Sequence, residues 1–388
     1  MYVTRPISVY KRNPSALSEP PLGPNSGYLV IWDLPPSYTC FGLCEDPEIK
    51  HLPFPQDKNL TITYTVSTGQ SSYTYTDKIL CIPVLNQPLS SNCYYVIRRE
   101  GKHQGQASTS SKEEDKTTCL CCSFAKDVKP RPLRAPSDDY QQVEIMKKRH
   151  GFQAKSVAPD GIPPDFLRRK GWRVNATTPR NYHLNEALGS NDSLRSKLPH
   201  FNFSLSIASS ESVVVGKWYC PFMFLKEGMG LKEQMKISTF YEVTLVQRWE
   251  KIFSKEDRKS GEDSVVVDVV VQAEVVRVAG RDAVWDENGM VGRVLWFSSF
   301  GDDGREMRVG MSLEVFERMK WEEERVGWKA SEGREESVVR VEEFRGTNKW
   351  QRFGCYVLIE SFEFRRMDGV LVLTYDFKHT HQIMCKWE

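Results

Sequence analysis

Apolar and polar positions alternate with period two over much of this chain, most clearly at its C-terminal end. Residues from Cys355 to Glu388 read as two long strands joined at Asp368-Gly369. Successive side chains of a strand point to opposite faces. Tyr375, Phe377, His379, His381, Ile383, Cys385 and Trp387 therefore share one face of the second strand. A two-residue turn at Asp368-Gly369 pairs Met367 with Val370. That register sets Leu358 opposite His379, Tyr356 opposite His381 and Glu360 opposite Phe377.

The same alternation predicts strands at Gly27–Asp33, Leu60–Val66, Lys78–Val84 and Cys93–Arg99. Gln104–Thr118 is polar, low in complexity and predicts a mobile loop. Asp138 as N-cap and Gly151 just past the end predict a helix between them. A second short helix runs from Pro163-Pro164 to Gly171, and a weak one lies around Leu184–Leu188. Strand patterning returns after Phe201. Val213–Leu225, broken at Pro221, and Val291–Ser298 are two of these strands. Phe240–Phe253 and Val265–Val278 predict a hairpin, although Gln247–Lys251 also suits a helix. Ser312 caps a helix near 312–326 that ends at Gly327. The expected fold is β-rich α+β: mostly antiparallel sheets in two lobes with a short helical connector. The lobes are residues 1–135 and 200–388, and the basic, helical connector is 136–199.

With 388 residues the chain exceeds one ordinary core. Its net charge of +2 is nearly neutral and weighs against a dedicated nucleic-acid binder. Residues 126–173 depart from this average, with twelve Lys/Arg against six Asp/Glu. Arg168, Arg169 and Lys170, with Lys147, Lys148 and Arg149, are the candidate binding surface, suited to an acidic protein or an anionic surface. The ordinary alternative is a solvated face, and cations in the last turn of a helix suit its dipole. No apolar stretch approaches a spanning helix and the N-terminal residues lack a leader's apolar run. The expectation is a cytoplasmic or nuclear protein whose ten cysteines are mostly free thiols.

No P-loop, dinucleotide fingerprint, nucleophile elbow or His-Glu-x-x-His is present. Glu360, His379, His381 and Cys385 form the candidate metal set, since imidazole and thiolate suit zinc and a carboxylate can orient a histidine. The competing and favoured reading is a core face with satisfied histidines. Cys119, Cys121 and Cys122, with Cys40, Cys44 and His103, lack standard zinc spacing. Cys220 would need a neighbouring base to act as a nucleophile. Trp321 and Trp328, beside Glu322, Glu323 and Glu324, fit a partner surface or an ordinary amphipathic helix. The reading leans away from an enzyme and toward a binding or interaction protein. A metal site or enzyme on the hairpin face is the alternative, and binding of single-stranded RNA by strand aromatics is a weaker one.

Several longer words carry a family resemblance. They are Gly23–Ile31 (GPNSGYLVI), Ile82–Ile97 (IPVLNQPLSSNCYYVI), Ala154–Gly161 (AKSVAPDG), Gly216–Phe224 (GKWYCPFMF), Glu317–Trp321 (ERMKW) and Thr374–Gln382 (TYDFKHTHQ). Through them the chain resembles the plant family known as domain of unknown function 1262 over nearly its whole length. The resemblance implies a plant source and a stress-responsive setting, and it carries no catalytic residue. One departure is Asp33–Pro36 (DLPP), where many relatives have paired acids after the first strand.

Overall fold

Alternation becomes strand through most of the chain, and helix is confined to short pieces. The computed structural model describes residues 1–36, 38–39, 44–69, 71–119, 122–134, 138–256, 263–286, 292–330, 334–346 and 349–388, with backbone alone at 39, 44, 116–119 and 122–124. The zinc reading of the N-terminal cysteines therefore lies outside the described side chains. Two units emerge: Met1–Ala187 with Tyr219–Tyr241, and Leu188–Trp218 with Glu242–Glu388.

The first unit contains β1 (Tyr2–Pro6), β2 (Gly27–Ile31), β3 (Glu48–Ile49), β4 (Asn59–Ser67), β5 (Ser72–Pro83), β6 (Cys93–Arg98), β7 (Gln142–Lys147), β8 (Phe152–Ser156), the single-turn α1 (Asp165–Arg168) and β9 (Arg173–Thr177). β1 and β2 pair in parallel. The other strands form an antiparallel sheet in the order β8-β7-β6-β5-β4-β9-β3. Phe54, Tyr94, Phe152 and Trp172 anchor its core, with the Phe54 and Phe152 rings edge-on at 5.0 Å.

Two expectations fail here for physical reasons. The helix expected between Asp138 and Gly151 is a short 3-10 turn followed by β7. Asp138 does cap, accepting a bond from Tyr140 N at 3.1 Å, but only that turn. Val143 and Ile145 are buried at strand spacing, and the left-handed Gly151 (φ 81°) closes a hairpin into β8. Residues 136–187 belong to the first unit and carry three strands. The polar run within Gln104–Thr118 is equally unlike a free loop. Ser108, Thr109, Ser110 and Ser111 are buried, held by bridges from Ala107 to Arg131 and from Ser111 to Ile162.

The second unit contains α2 (Asp192–Arg195), β10 (Val213–Pro221, up to Trp218), β11 (Phe240–Glu256, from Glu242), β12 (Ser264–Gln272), β13 (Glu274–Val278), β14 (Val294–Phe300), β15 (Glu306–Ser312), α3 (Leu313–Glu324), β16 (Glu335–Glu343), β17 (Arg352–Arg366) and β18 (Leu371–Trp387). Its main sheet runs β10-β11-β17-β18-β13. The expected hairpin of Phe240–Phe253 with Val265–Val278 does not form. The valine-rich segment breaks at Ala273, so that β12 pairs with β16 and β13 with β18. α3 begins after Ser312 as expected, but the Ser312 hydroxyl makes no capping bond, and the helix lies over the face of β18. Phe316 meets Tyr375 at 5.7 Å between ring centroids, and Trp328, just past the helix, meets Phe377 at 5.0 Å.

Candidate functional site

The terminal hairpin departs from its expected turn and then returns to its expected register. Arg366 N donates to Val370 O and Gly369 N to Arg366 O, each at 2.9 Å, which makes a three-residue loop. Gly369 sits at φ 88°, the left-handed position such a loop needs. A register shift between Phe364 and Arg365 absorbs the extra residue. Leu358 then faces His379, and Glu360 faces Phe377.

A second shift changes the chemistry. Leu358 pairs with His379 but Val357 pairs with Ile383, which leaves Thr380, His381 and Gln382 unmatched. Three extra residues invert the alternation, so Tyr356 faces Met384 rather than His381. Cys385 now faces Cys355 and packs with Phe353, Trp387 and Val265, on the sheet face opposite His379. His381 is exposed, its ring 5.3 Å from that of His379. Of the four expected site residues, only Glu360 and His379 meet in a buried interior, at 3.7 Å.

What surrounds them is a charge cluster. Arg195, from α2, is 3% exposed. Its Nε donates to both Glu360 oxygens, at 2.9 and 3.0 Å, and its Nη2 donates to Glu323 Oε1 at 3.0 Å. Nη1 donates to the Glu322 carbonyl at 3.0 Å. Gln247 Nε2, from β11, donates to Glu360 Oε1 at 2.6 Å. His379 Nε2 lies 2.8 Å from Glu323 Oε2. Glu322 pairs with Arg318 and with Arg325, whose Nε is 2.7 Å away, and Arg325 reaches Asp192 at 3.0 Å.

The protonation pattern follows from this geometry. Burial would raise the pKa of Glu360, but bonds and charge from Arg195 outweigh it and hold it at about 2. Burial, then the charge of Glu360, push Glu323 well above the usual carboxylate range. Burial pushes His379 down to about 4, partly offset by Glu360. Near neutral pH the imidazole is therefore neutral, and Arg195 balances Glu360. His379 Nδ1 has no hydrogen-bond partner, and His379 lines a cavity of about 450 Å³ together with Leu358 and Val326.

Glu323, Glu360 and His379 bring ligand atoms within 4.8 Å of one another, a spacing that suits a metal ion. Their chemistry fits one poorly. Arg195 already stands as the cation between the two carboxylates, and a divalent ion would have to displace it from its bonds to both.

The basic candidates gather in the first unit. Lys147, Lys148 and Arg149 lie at the β7–β8 turn, and Arg168, Arg169 and Lys170 follow α1. A Phe152–Trp172 bridge sets the two turns side by side. Arg168 is bound to Asp127 at 2.9 Å and to Asp165 at 3.3 Å. Arg169 pairs with Asp165 and stacks over Tyr64 and Tyr75, at 5.0 and 5.2 Å from the ring centroids. Lys147 Nζ approaches the Lys50 carbonyl and His51. Lys170 and Arg149 are exposed.

Beside Arg169 opens a cavity of about 420 Å³, walled by Tyr64, Tyr75, Phe166, Val128, Pro130 and Pro164. Arg98, paired with Asp77 at 2.5 Å, stacks over Phe166 at 4.7 Å. Ser108 lines this cavity at 2% exposure, and its hydroxyl has no partner. His103, also in the wall, is turned to Gln106, Nδ1 to Oε1 at 2.7 Å. Sequence reasoning missed Ser108, Arg195, Glu323 and Gln247 as site residues. A lone Arg195 in an irregular stretch carries no periodic signal. Glu323, on a helix with three consecutive acids, reads as solvated.

Residues 22–123 match the family described as Protein of unknown function (DUF1262). No curated protein matches the chain. One similar solved structure is titled Crystal structure of Cry35Ab1, at 10% identity and TM-score 0.44, covering 86% of this chain and 90% of that one. A likeness that weak carries no argument about fold or function. Among the described residues, no helix is long and apolar enough to cross a membrane.

Proposed function

We propose that this is a non-enzymatic binding protein whose first unit holds a small, mainly apolar molecule with an aromatic ring. One observation carries the reading: the buried, unpartnered Ser108 hydroxyl in the wall of the aromatic cavity beside Arg169. A buried hydroxyl without a partner costs on the order of 1–3 kcal/mol, and a ligand atom placed against it recovers that. Tyr64, Tyr75 and Phe166 offer ring faces and edges for stacking. Arg98 and Arg169 are each neutralised by a carboxylate, which favours a neutral ligand over an anion. Contact with an acidic protein or anionic surface falls to Lys147, Arg149 and Lys170. A plant cell interior, cytosolic or nuclear, and a stress-linked setting complete the reading.

The test is titration of the full chain with N-phenyl-1-naphthylamine, a neutral aromatic amine whose fluorescence rises in apolar surroundings. Saturable binding is expected. Tyr75→Ala and Ser108→Ala should each weaken it by about 5- to 10-fold, the scale of one stacking or hydrogen-bonding contact. Absence of saturable binding, or binding indifferent to both changes, overturns the proposal.

A second reading, metal binding or chemistry at Glu323, Glu360 and His379, has one observation in its favour, the unpartnered His379 Nδ1 at the edge of a cavity. Metal analysis of purified protein decides it: a stoichiometric ion lost in Glu360→Gln would carry this reading.

A further inference from the structure

Cys355 and Cys385 face one another across β17 and β18. Whether two such cysteines can bond depends on the kind of pair they form. Antiparallel pairs alternate between those that exchange two backbone hydrogen bonds, with Cα atoms about 5.5 Å apart, and those that exchange none, about 4.5 Å apart with closer side chains. Arg352 and Glu388 exchange both bonds, each at 2.8 Å. Counting inward along the unbroken register, Phe353–Trp387 exchanges none, Gly354–Lys386 exchanges both, and Cys355–Cys385 exchanges none. The thiols thus occupy the close type of pair. A separation of about 4.5 Å falls at the short end of the range that a disulfide spans, roughly 4.4–6.8 Å.

Their surroundings suit stepwise exchange. Cys355 is fully buried and Cys385 half-buried, and both are free thiols. Interaction between the two thiols lowers the pKa of Cys355 and raises that of Cys385, so a proton shared by the pair rests on Cys385. The neighbours Val265, Phe353, Trp387 and Ile383 are apolar. Arg340 and Glu342, of opposite sign, act on the pair by charge. Cys81 and Cys220, also buried, are raised by burial and stand as inert internal references.

We propose that Cys355 and Cys385 form a reversible intramolecular disulfide by exchange with a small-molecule disulfide. Cys385, the more exposed of the two, passes its proton to the Cys355 sulfur and attacks the incoming disulfide as the thiolate, forming a mixed disulfide and releasing one small thiol; Cys355 then gives up that proton. The Cys355 thiolate then attacks the Cys385 sulfur, and the second small thiol leaves. The protein loses two protons and two electrons, and the small disulfide is reduced to two thiols. Geometry at the short end of the range makes the product readily reducible.

The experiment is equilibration of the folded full chain in glutathione and glutathione disulfide at graded ratios. Exchange is then quenched with acid, the chain is unfolded, free thiols are alkylated and the peptides are mapped by mass spectrometry. A peptide pair linked through Cys355 and Cys385 should accumulate as the ratio becomes oxidising and vanish on return to excess glutathione. Cys81 and Cys220 should stay alkylated throughout. Cys385→Ser should leave Cys355 reduced at every ratio. A stable glutathione adduct on Cys385 with Cys355 still free, or linkage only between chains, overturns the proposal. The wild-type map is decisive even if a serine variant misfolds.

Discussion

In the second unit one guanidinium, Arg195, is buried among three glutamates. In the first, Arg98 and Arg169 lie half-buried over aromatic rings, each beside one carboxylate, at the wall of an open cavity. The first arrangement gathers Glu322, Glu323, Glu360, Arg195 and His379, of which the sequence singles out Glu360 and His379 as site residues, and apart from His379 Nδ1 these groups answer one another. The second is sparse, and its unanswered group, the Ser108 hydroxyl, stands in an aromatic wall rather than among charges. Density of reactive side chains measures how much charge was buried. An unmet hydrogen-bonding group beside open space is the better pointer to a ligand.

The largest effect expected from this comparison is at Arg195. Arg195→Met leaves Glu360 as an uncompensated buried charge and should cost about 3–5 kcal/mol in urea denaturation. Adding Glu360→Leu should restore most of it, since replacing both partners by apolar groups is often neutral. A near-neutral single change would break the comparison, because Arg195 would then not hold the core. Phe377→Ala, at the aromatic contact with Trp328, should cost about 3–5 kcal/mol as well.

Acid comes next. His379 has a folded pKa of about 4 against 6.5 for the free group, so the unfolded chain binds the added proton more tightly. Its contribution is complete above pH 6.5 and is lost as the pH falls toward 4, on the order of 3 kcal/mol. Glu360, held at about 2 against 4.5, adds a second loss below pH 4.5. Glu323, whose folded pKa is raised, acts in the opposite sense as the pH falls toward 4.5, so the check on His379 is the stability gap between wild type and His379→Gln, which should shrink as the pH falls from 6.5 toward 4. At neutral pH that change should cost about 1–3 kcal/mol, the loss of one buried bond.

Smallest of all should be the effects of a strong chelator on the melting curve, and of Tyr75→Ala on stability. Tyr75 is 54% exposed, and surface changes of this kind usually stay within about 0.5 kcal/mol. A large loss with chelator would place a metal at the cluster and reverse the contrast between the two units.

The β-rich character, the strands of the first lobe, the late helix and the pairing of Leu358 with His379 could be read from alternation and caps. Alternation is a local property, and these elements obey it. The helix expected at Asp138–Gly151 was misread because capping residues also serve turns and hairpins, and β7 is too short for its period to speak clearly. The site was half legible. Glu360 and His379 stand on one predicted hairpin, but Arg195 and Glu323 arrive from distant segments that nothing local links to it. Cys385 was misplaced because no pattern announces three unpaired residues inside a strand. Ser108 was hidden by its own composition, since a run of serines and threonines looks solvated until tertiary bridges bury it.

Thr380, His381 and Gln382 let one strand serve two cores: the residues before them face Glu360 and α3, and those after them face Phe353 and Val265. Their number governs which lengths this segment can tolerate. A gain or loss of two residues preserves the exchange of faces. A gain or loss of one turns the Ile383–Trp387 end over, exposing Trp387 and separating Cys385 from Cys355. Length differences among related chains at this position should therefore come in even numbers.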